Sequence, residues 1–324
     1  MTFSKDLRFH EHVNEILIKV NRTLSPLYAI AQHLPRHILD TIYKTYIRPH
    51  FDYCDTIYDG HITIQDATRL EILQNRAARL TTGTLFRTSS DKLRTELGRD
   101  KLTTRRHIHR LTLYHKLTAP DSHSTTPSYI TDIMPQSRAH DTNRTLRNAR
   151  HHTLGQIRTT SHQRSFFTLT GNQWNRLPEL TKQLSYCDFK NIITEQLGTP
   201  KPPLYYSYGT KAHNILHTRL RADMSQLNAH MFKIQKSDSP ACRCGYPQEN
   251  TMHFILSCPT YTHQRDEMLS NISYNIHHNF MHESRPTQLQ ILLHGTGLGG
   301  GGGRAVARCF QIFLQNSHRF SGVY

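Results

Sequence analysis

Along the first 119 residues the apolar positions recur at helical spacing. Val13, Ile16, Leu17, Val20 and Leu24 fall on one face of a 3.6-residue period, which predicts an amphipathic helix over His12 to Leu24. Pro26 and Pro35 punctuate the connection that follows. Ile38, Ile42, Tyr46 and Ile47 form the next stripe, which Pro49 kinks or ends. Thr63-Ile-Gln-Asp66 has the form of a capping box with Asp in place of Glu. Behind it Leu70, Leu73, Ala77 and Leu80 repeat at helical spacing. Ser89-Ser90 can cap a short helix that Gly98 terminates, and one more helix is predicted from about Leu102 to Leu117.

The periodicity lapses over 120–165. This stretch holds six Arg, no Lys and three Asp among many Ser, Thr and His, and its apolar residues are sparse. It reads as a basic, irregular linker or binding arm. Order resumes at Phe166. Trp174, the only Trp, is expected to anchor a core, with Pro178 ending any helix there. A short helix is predicted over Phe189 to Leu197, stopped by Gly198, and a Pro-rich hinge over 199–203. Leu216, Leu220, Leu227 and Met231 stripe a helix from about Ala212 to Phe232. Gly299–Gly303 reads as a flexible turn before a last helix over about Ala305 to Phe320.

The pattern predicts a mainly α fold. Its expected parts are a helical bundle over 1–119, an irregular basic linker over 120–165 and a helical connection over 166–235. A small segment over 236–270 follows, then a helical C-terminal region over 271–324. The residues after Met1 lack the apolar core of a secretory signal. No apolar run reaches the ~18 residues of a membrane span. An intracellular chain, nuclear or cytoplasmic, without membrane partners is expected.

Charge narrows the partner class. Lys plus Arg number 40 against 24 Asp plus Glu, a formal charge of +16, and such a surplus points to a polyanion, most often nucleic acid. The hydrophobic fraction of 36% implies a modest core. Six Cys over this length do not make a disulfide framework. Cys54, Cys187 and Cys309 stand alone and are expected as small buried apolar residues.

The other three cysteines do not stand alone. Cys242, Cys244, His253 and Cys258 have the spacing C-x-C-x8-H-x4-C. Zinc takes four N or S donors tetrahedrally, and a set of four protein ligands leaves no open position, so such a site is structural. The bare alternative is three cysteines that share a short window by chance. Gly245 can take the positive φ of a tight turn after Cys244. His253 and Cys258 flank an apolar run that looks helical. Five residues turn an unbroken helix through about 500°, which would leave the two side chains about 140° apart. The helix must therefore end or distort near Ser257–Cys258, where Pro259 favours a break.

Catalytic constellations are not found. Asp52 and Asp55 sit among aromatics in Phe51-Asp-Tyr-Cys-Asp55, but three apart in a helical context, unlike the vicinal carboxylates of a two-metal polymerase site. The Gly run lacks the Gly-Lys-Ser/Thr ending of a phosphate loop. No nucleophile elbow or HExxH occurs. No catalytic residue and no catalytic Mg site are expected on this chain. Of the 24 His, only His253 has ligand company.

The window from Ala241 to Arg265 resembles the Cys-Cys-His-Cys segment at the C-terminus of LINE-type (non-LTR) retrotransposon reverse transcriptases. Glu249, Thr251, His253, Cys258, Pro259, Tyr261 and Arg265 all fit that pattern. Other blocks resemble the family in order. Leu7-Arg-Phe-His-Glu-His-Val13 is similar to the segment just past the palm. Tyr46-Ile-Arg-Pro-His-Phe-Asp-Tyr53 and Gln74-Asn-Arg-Ala-Ala-Arg79 are similar to the thumb. Trp174-Asn-Arg-Leu-Pro178, Leu216-His-Thr-Arg-Leu-Arg221, Ile291-Leu-Leu-His-Gly295 and Ser317-His-Arg-Phe320 follow. The aromatic-x-Asp-Asp block of the palm is absent, and Gly299–Gly303 replaces a polar stretch.

The resemblance implies a non-catalytic fragment: thumb-like bundle, linker and zinc-organised module, binding element RNA and target DNA and associating with an upstream polymerase segment. Arg76, Arg79, Arg105, Arg106, Arg219, Arg221 and Arg243 are the candidate phosphate contacts, chosen for charge clustering. The alternatives are a relic without function and a host-adopted, zinc-stabilised protein adaptor.

Overall fold

The computed structural model describes residues 1–3, 5–85, 87–119, 126–137, 151–203, 205, 209–275, 280–295, 298 and 300–320. Helices dominate them, as the hydrophobic pattern predicts. No strand occurs among the described residues, where a single antiparallel bridge joins Ser137 to His152. The chain forms two compact units, Met1–Leu27 with Ile42–Gln74 and Arg99–Pro200, and Tyr28–Thr41 with Asn75–Gly98 and Lys201–Tyr324. No helix among the described residues is long and apolar enough to cross a membrane.

In the first unit the helix Leu102–Thr118 packs against Phe166–Asn175 and Tyr186–Leu197. Their contact buries Ile108, Leu111, Tyr114, Trp174, Phe189 and Ile193. Trp174 is the core anchor expected of it, 5.5 Å from Tyr114 and 5.6 Å from Phe189 between ring centroids. Asp59 pairs with both Arg106 and Arg110 at the edge of this core. Asn175 holds both backbone groups of His152, accepting from its N–H at 2.8 Å and donating to its carbonyl at 3.0 Å.

The first helix, His10–Ile30, buries Val13, Ile16, Val20 and Leu24, with Leu17 half-buried at the margin. It runs through Pro26 rather than stopping there. Burial of Leu24 and Leu27 on either side compensates for the one backbone bond the proline removes. The next stripe also differs from expectation. Leu39, Tyr43, Ile47 and Phe51 are the buried positions, whereas Ile38 and Tyr46 face solvent. A π turn over Tyr43–Ile47 keeps this every-fourth pattern on one side. At the start of Ile64–Thr82, Thr63 Oγ1 accepts from Asp66 N–H at 3.0 Å, the first half of the capping box. The Asp66 carboxylate accepts from the Thr63 hydroxyl at 3.0 Å and also meets His10 and Arg69.

In the second unit Lys211–Arg221, Thr262–Asn275, Arg285–His294 and Gly300–Asn316 surround the larger core. Leu220, Phe254, Ile255, Ile272, Phe280, Phe310 and Phe313 are among its most buried members. Thr262–Asn275 packs along Gly300–Asn316. Ala78, Leu93 and Leu97 form a smaller cluster, where Ser90–Leu97 ends on Gly98 at φ 57°.

Two predicted helices change here. The stripe Leu216 to Met231 is carried by two helices, Lys211–Arg221 and Asn228–Lys233, separated at Asp223, which has φ 54°. Gly300–Gly303 form the first turn of the last helix rather than a turn before it; Gly299 lies outside the described residues. Glycine costs about 1 kcal/mol per helical position. Burial of Val306, Phe310, Phe313 and Leu314 farther along offsets that cost.

Of the linker predicted over 120–165, residues 120–125 and 138–150 lie outside the described residues. The remainder carries the short helices Ser128–Thr131 and Thr160–Arg164. The lone cysteines divide: Cys309 is buried, Cys54 is half-buried at φ 56°, and Cys187 is exposed, contrary to expectation. Cys187 sits on the outer face of Tyr186–Leu197, whose inner face is set by Phe189 and Ile193.

Candidate metal centre

Two local structures bring the four predicted ligands together. The first is the turn at Cys242. Gly245 N–H donates to Cys242 O at 3.0 Å, and Cys242 N–H donates to Tyr246 O at 2.8 Å. Gly245 has φ 91°, the positive value that the turn demands. The second lies after Asn250, whose Oδ1 accepts the His253 N–H at 2.8 Å. From there a π turn spans His253–Ser257 and closes with Cys258 N–H donating to His253 O at 2.7 Å. That i→i+5 bond is the distortion the spacing requires, because it returns residue 258 to the side of residue 253. Cys258 then leaves the helix at ψ 122° ahead of Pro259.

Ligand atoms of Cys242, Cys244, His253 and Cys258 all lie within 4.8 Å of one another. Cys242 Sγ and Cys258 Sγ are 3.7 Å apart, and Cys244 Sγ is 3.2 Å from His253 Nε2. A disulfide needs about 2.0 Å. Two sulfurs bound to one tetrahedral zinc at ~2.3 Å each would stand roughly 3.8 Å apart. The donor set therefore fits a metal ion, and the spacing of the two buried sulfurs fits its coordination edge. Cys242, His253 and Cys258 are buried and Cys244 half-buried, so the position is screened from water on most sides.

The thiols differ in character. Burial and the neighbouring sulfurs push Cys242 up to about 12, while the backbone N–H of Tyr246 lowers Cys244. Burial lowers His253, keeping its imidazole neutral as a ligand must be. A coordinated cation reverses the direction at Cys242, since a metal-bound thiol is deprotonated.

Neighbouring side chains brace this geometry. Tyr246 stacks on His253 with centroids 4.2 Å apart and planes within 4°. Arg265 donates from Nε to Ile255 O at 2.9 Å and from its guanidinium to Cys258 O, bracing the π turn from Thr262–Asn275. Glu249, 2% exposed, accepts from Arg319 at 2.7 and 2.6 Å and from Asn228 N–H at 2.8 Å. Tyr246, Arg265, Glu249 and Arg319 are thus additions to the four ligands that the spacing predicts. The placing of Arg265 seven residues, two helical turns, after Cys258 was the available signal; the partnership of Glu249 with Arg319, 70 positions on, had none.

The candidate phosphate contacts scatter. Arg105 grips Asp52 at 2.6 and 2.8 Å. Arg106 is buried against Asp59. Arg219 donates twice to Gly83 O, at 3.2 and 2.8 Å. Arg221 donates to Glu96 at 2.6 Å and to Leu293 O at 2.5 Å. Arg79 reaches Thr88 O at 3.4 Å. Arg76 and Arg243 are exposed.

Asp52 and Asp55, three apart in the sequence, come close in space. They converge with His109, which lies 2.5 Å from Asp55 and so has acidic company that the sequence did not suggest. With Arg105 on both oxygens of Asp52, the charge there is balanced within the unit. The histidines His12, His115, His152 and His217 are buried core residues.

No protein-family model, no curated protein and no solved structure matches the chain.

Proposed function

We propose that the chain is the post-palm, non-catalytic part of a LINE-type reverse transcriptase, holding RNA and DNA through a basic surface organised by a structural zinc. The observation that carries this reading is the convergence of Cys242, Cys244, His253 and Cys258 within an ordered run of family-like blocks. Zinc, when bound, supplies a cross-link between the cysteine turn and the π turn. The protein's own residues do the rest. Tyr246 covers His253, Arg265 fixes Cys258, and Glu249 with Arg319 ties the segment to the end of the chain.

Affinity in this reading is electrostatic and sequence-poor. Arg243 and Arg76 are the exposed members of the candidate set, and Lys233, Lys236 and Arg285 add exposed cations in the second unit. Neutralising about five phosphates of a single strand gives a log–log salt slope of about −3.5. The test is RNA binding by the zinc-loaded chain across a salt series. A steep linear fall supports the proposal, and a salt-insensitive or undetectable interaction ends it. The rival adaptor reading draws on the internal pairing of Arg105, Arg106, Arg219 and Arg221, and it predicts partner binding that nuclease treatment leaves intact.

A further inference from the structure

Beside the cysteine turn lies a groove of about 560 Å³. One wall is Cys244, Gly245, Tyr246 and Pro247; the other includes Met252, Ser257 and Arg285. Three properties set it apart. First, its apolar surface is planar or polarizable and open: Tyr246 is 50% exposed although stacked on His253, and Met252 is 36% exposed. Second, it has a cation in its lining and another next to it in the sequence. Arg285 borders it, with its guanidinium donating to Ser257 Oγ, and exposed Arg243 lies between the two turn cysteines. Third, Asn250 lines it with an amide whose oxygen is taken by the His253 N–H, leaving its NH2 group to offer.

An exposed aromatic face with a cation beside it suits a base more than any other common group. Unpaired bases stack on tyrosine regardless of sequence, while phosphates seek arginine. A duplex offers no free base face, since its bases already stack on one another. An acidic peptide would satisfy the arginines but leave the tyrosine–methionine surface uncovered. The packing of Tyr246 on His253 also fixes the ring in place, so little side-chain freedom is lost on binding.

We propose that this groove holds an unpaired nucleobase of single-stranded RNA or DNA, stacked on Tyr246, with neighbouring phosphates on Arg285 and Arg243. The proposal rests on the nucleic-acid reading above and adds to it a preference for single strands and a place for one base. The metal segment then has two roles, as a cross-link of the fold and as the platform that presents the stacking ring.

The test uses the full zinc-loaded chain and a 12-nucleotide oligouridylate against a 12-base-pair RNA duplex. Tyr246→Leu keeps an apolar cover on His253 but removes the stacking face. It is expected to weaken single-strand binding about tenfold, and duplex binding much less. A second readout is photocrosslinking of a 5-bromouridine oligomer to the unmodified chain, with crosslinks expected within 246–252. Equal single-strand affinity in Tyr246→Leu, or crosslinks confined to other segments, overturns the proposal. If Tyr246→Leu loses zinc, the crosslink position decides. Failure of the unmodified chain to bind either nucleic acid removes the nucleic-acid reading itself; binding that ignores Tyr246 removes only this groove.

Discussion

Arg319 closes on Glu249 with two parallel hydrogen bonds, Nε to Oε1 at 2.7 Å and Nη2 to Oε2 at 2.6 Å. The carboxylate is almost wholly buried and also takes the Asn228 N–H at 2.8 Å. The bond to Glu249 raises the Arg319 guanidinium further above its already high range. Seventy positions separate the pair, so it staples the end of the chain to the strip between the cysteine turn and the π turn. Removing one partner of a buried pair leaves an uncompensated charge at a cost of about 3–5 kcal/mol. Arg319→Ala is therefore expected to lower the unfolding free energy of the second unit, read by urea denaturation, by that amount. Glu249→Gln, which keeps the shape, should cost less. A loss under ~1 kcal/mol for Arg319→Ala would show the staple to be dispensable.

Gly245 separates conformation from space. A Cβ added there meets nothing within 4 Å, yet φ is 91°. The cost of Gly245→Ala is then purely backbone strain, about 1–2 kcal/mol. The expected result is a five- to thirtyfold loss of metal affinity, measured by competition with a chelator. Unchanged affinity would mean the turn relaxes without positive φ.

His152 gives the first unit a pH dependence. Burial, with positive Lys182 and His151 nearby, lowers its pKa to about 4. The unfolded chain takes up the proton near the ordinary 6.5 and the folded chain does not until about 4. Its contribution is therefore intact above pH 6.5 and declines as pH falls between those values. The slope is about 1.4 kcal/mol per unit, reaching about 3 kcal/mol. His152→Gln should flatten that part of the stability profile in denaturant titrations at pH 7, 6, 5 and 4. An unchanged slope would assign the acid sensitivity to other groups.

Cys258 and Cys309 make a matched pair of tests, since both are buried free thiols of the second unit. Apparent zinc binding energies in finger peptides are about 10–16 kcal/mol. Cys258→Ser is expected to lose the metal and the order of the segment around it, read by metal content and hydrogen exchange. Cys309→Ser, outside the ligand set, should keep both. Metal loss in the two variants alike would point to general destabilisation.

Much of this was legible in the sequence where the information is local. The stripes Val13-Ile16-Val20-Leu24 and Leu70-Leu73-Ala77 are buried as their spacing implies. The four candidate ligands follow from residue type and spacing, and the need for a break near Cys258 follows from helix rotation. The π turn at Tyr43–Ile47 has no such signal, because one extra residue per turn looks like scatter in an α-helical period; at His253–Ser257 the spacing demands a distortion but not its π form. Tyr43–Ile47 shifted the buried set to Leu39, Tyr43, Ile47 and Phe51. The break at Asp223 was hidden because Leu220 and Leu227 keep helical spacing across it. The arginines were least legible. Whether Arg221 meets solvent or Glu96, 125 positions away, is decided by the fold alone.

The most direct measurement is the zinc-edge X-ray absorption spectrum of the purified chain. One zinc per chain with three sulfurs at about 2.3 Å and one nitrogen at about 2.0–2.1 Å, and no water oxygen, is the result predicted for a closed Cys242, Cys244, His253, Cys258 site. Fewer than three sulfurs, a coordinated water, or no bound metal in chain purified without chelator would contradict it.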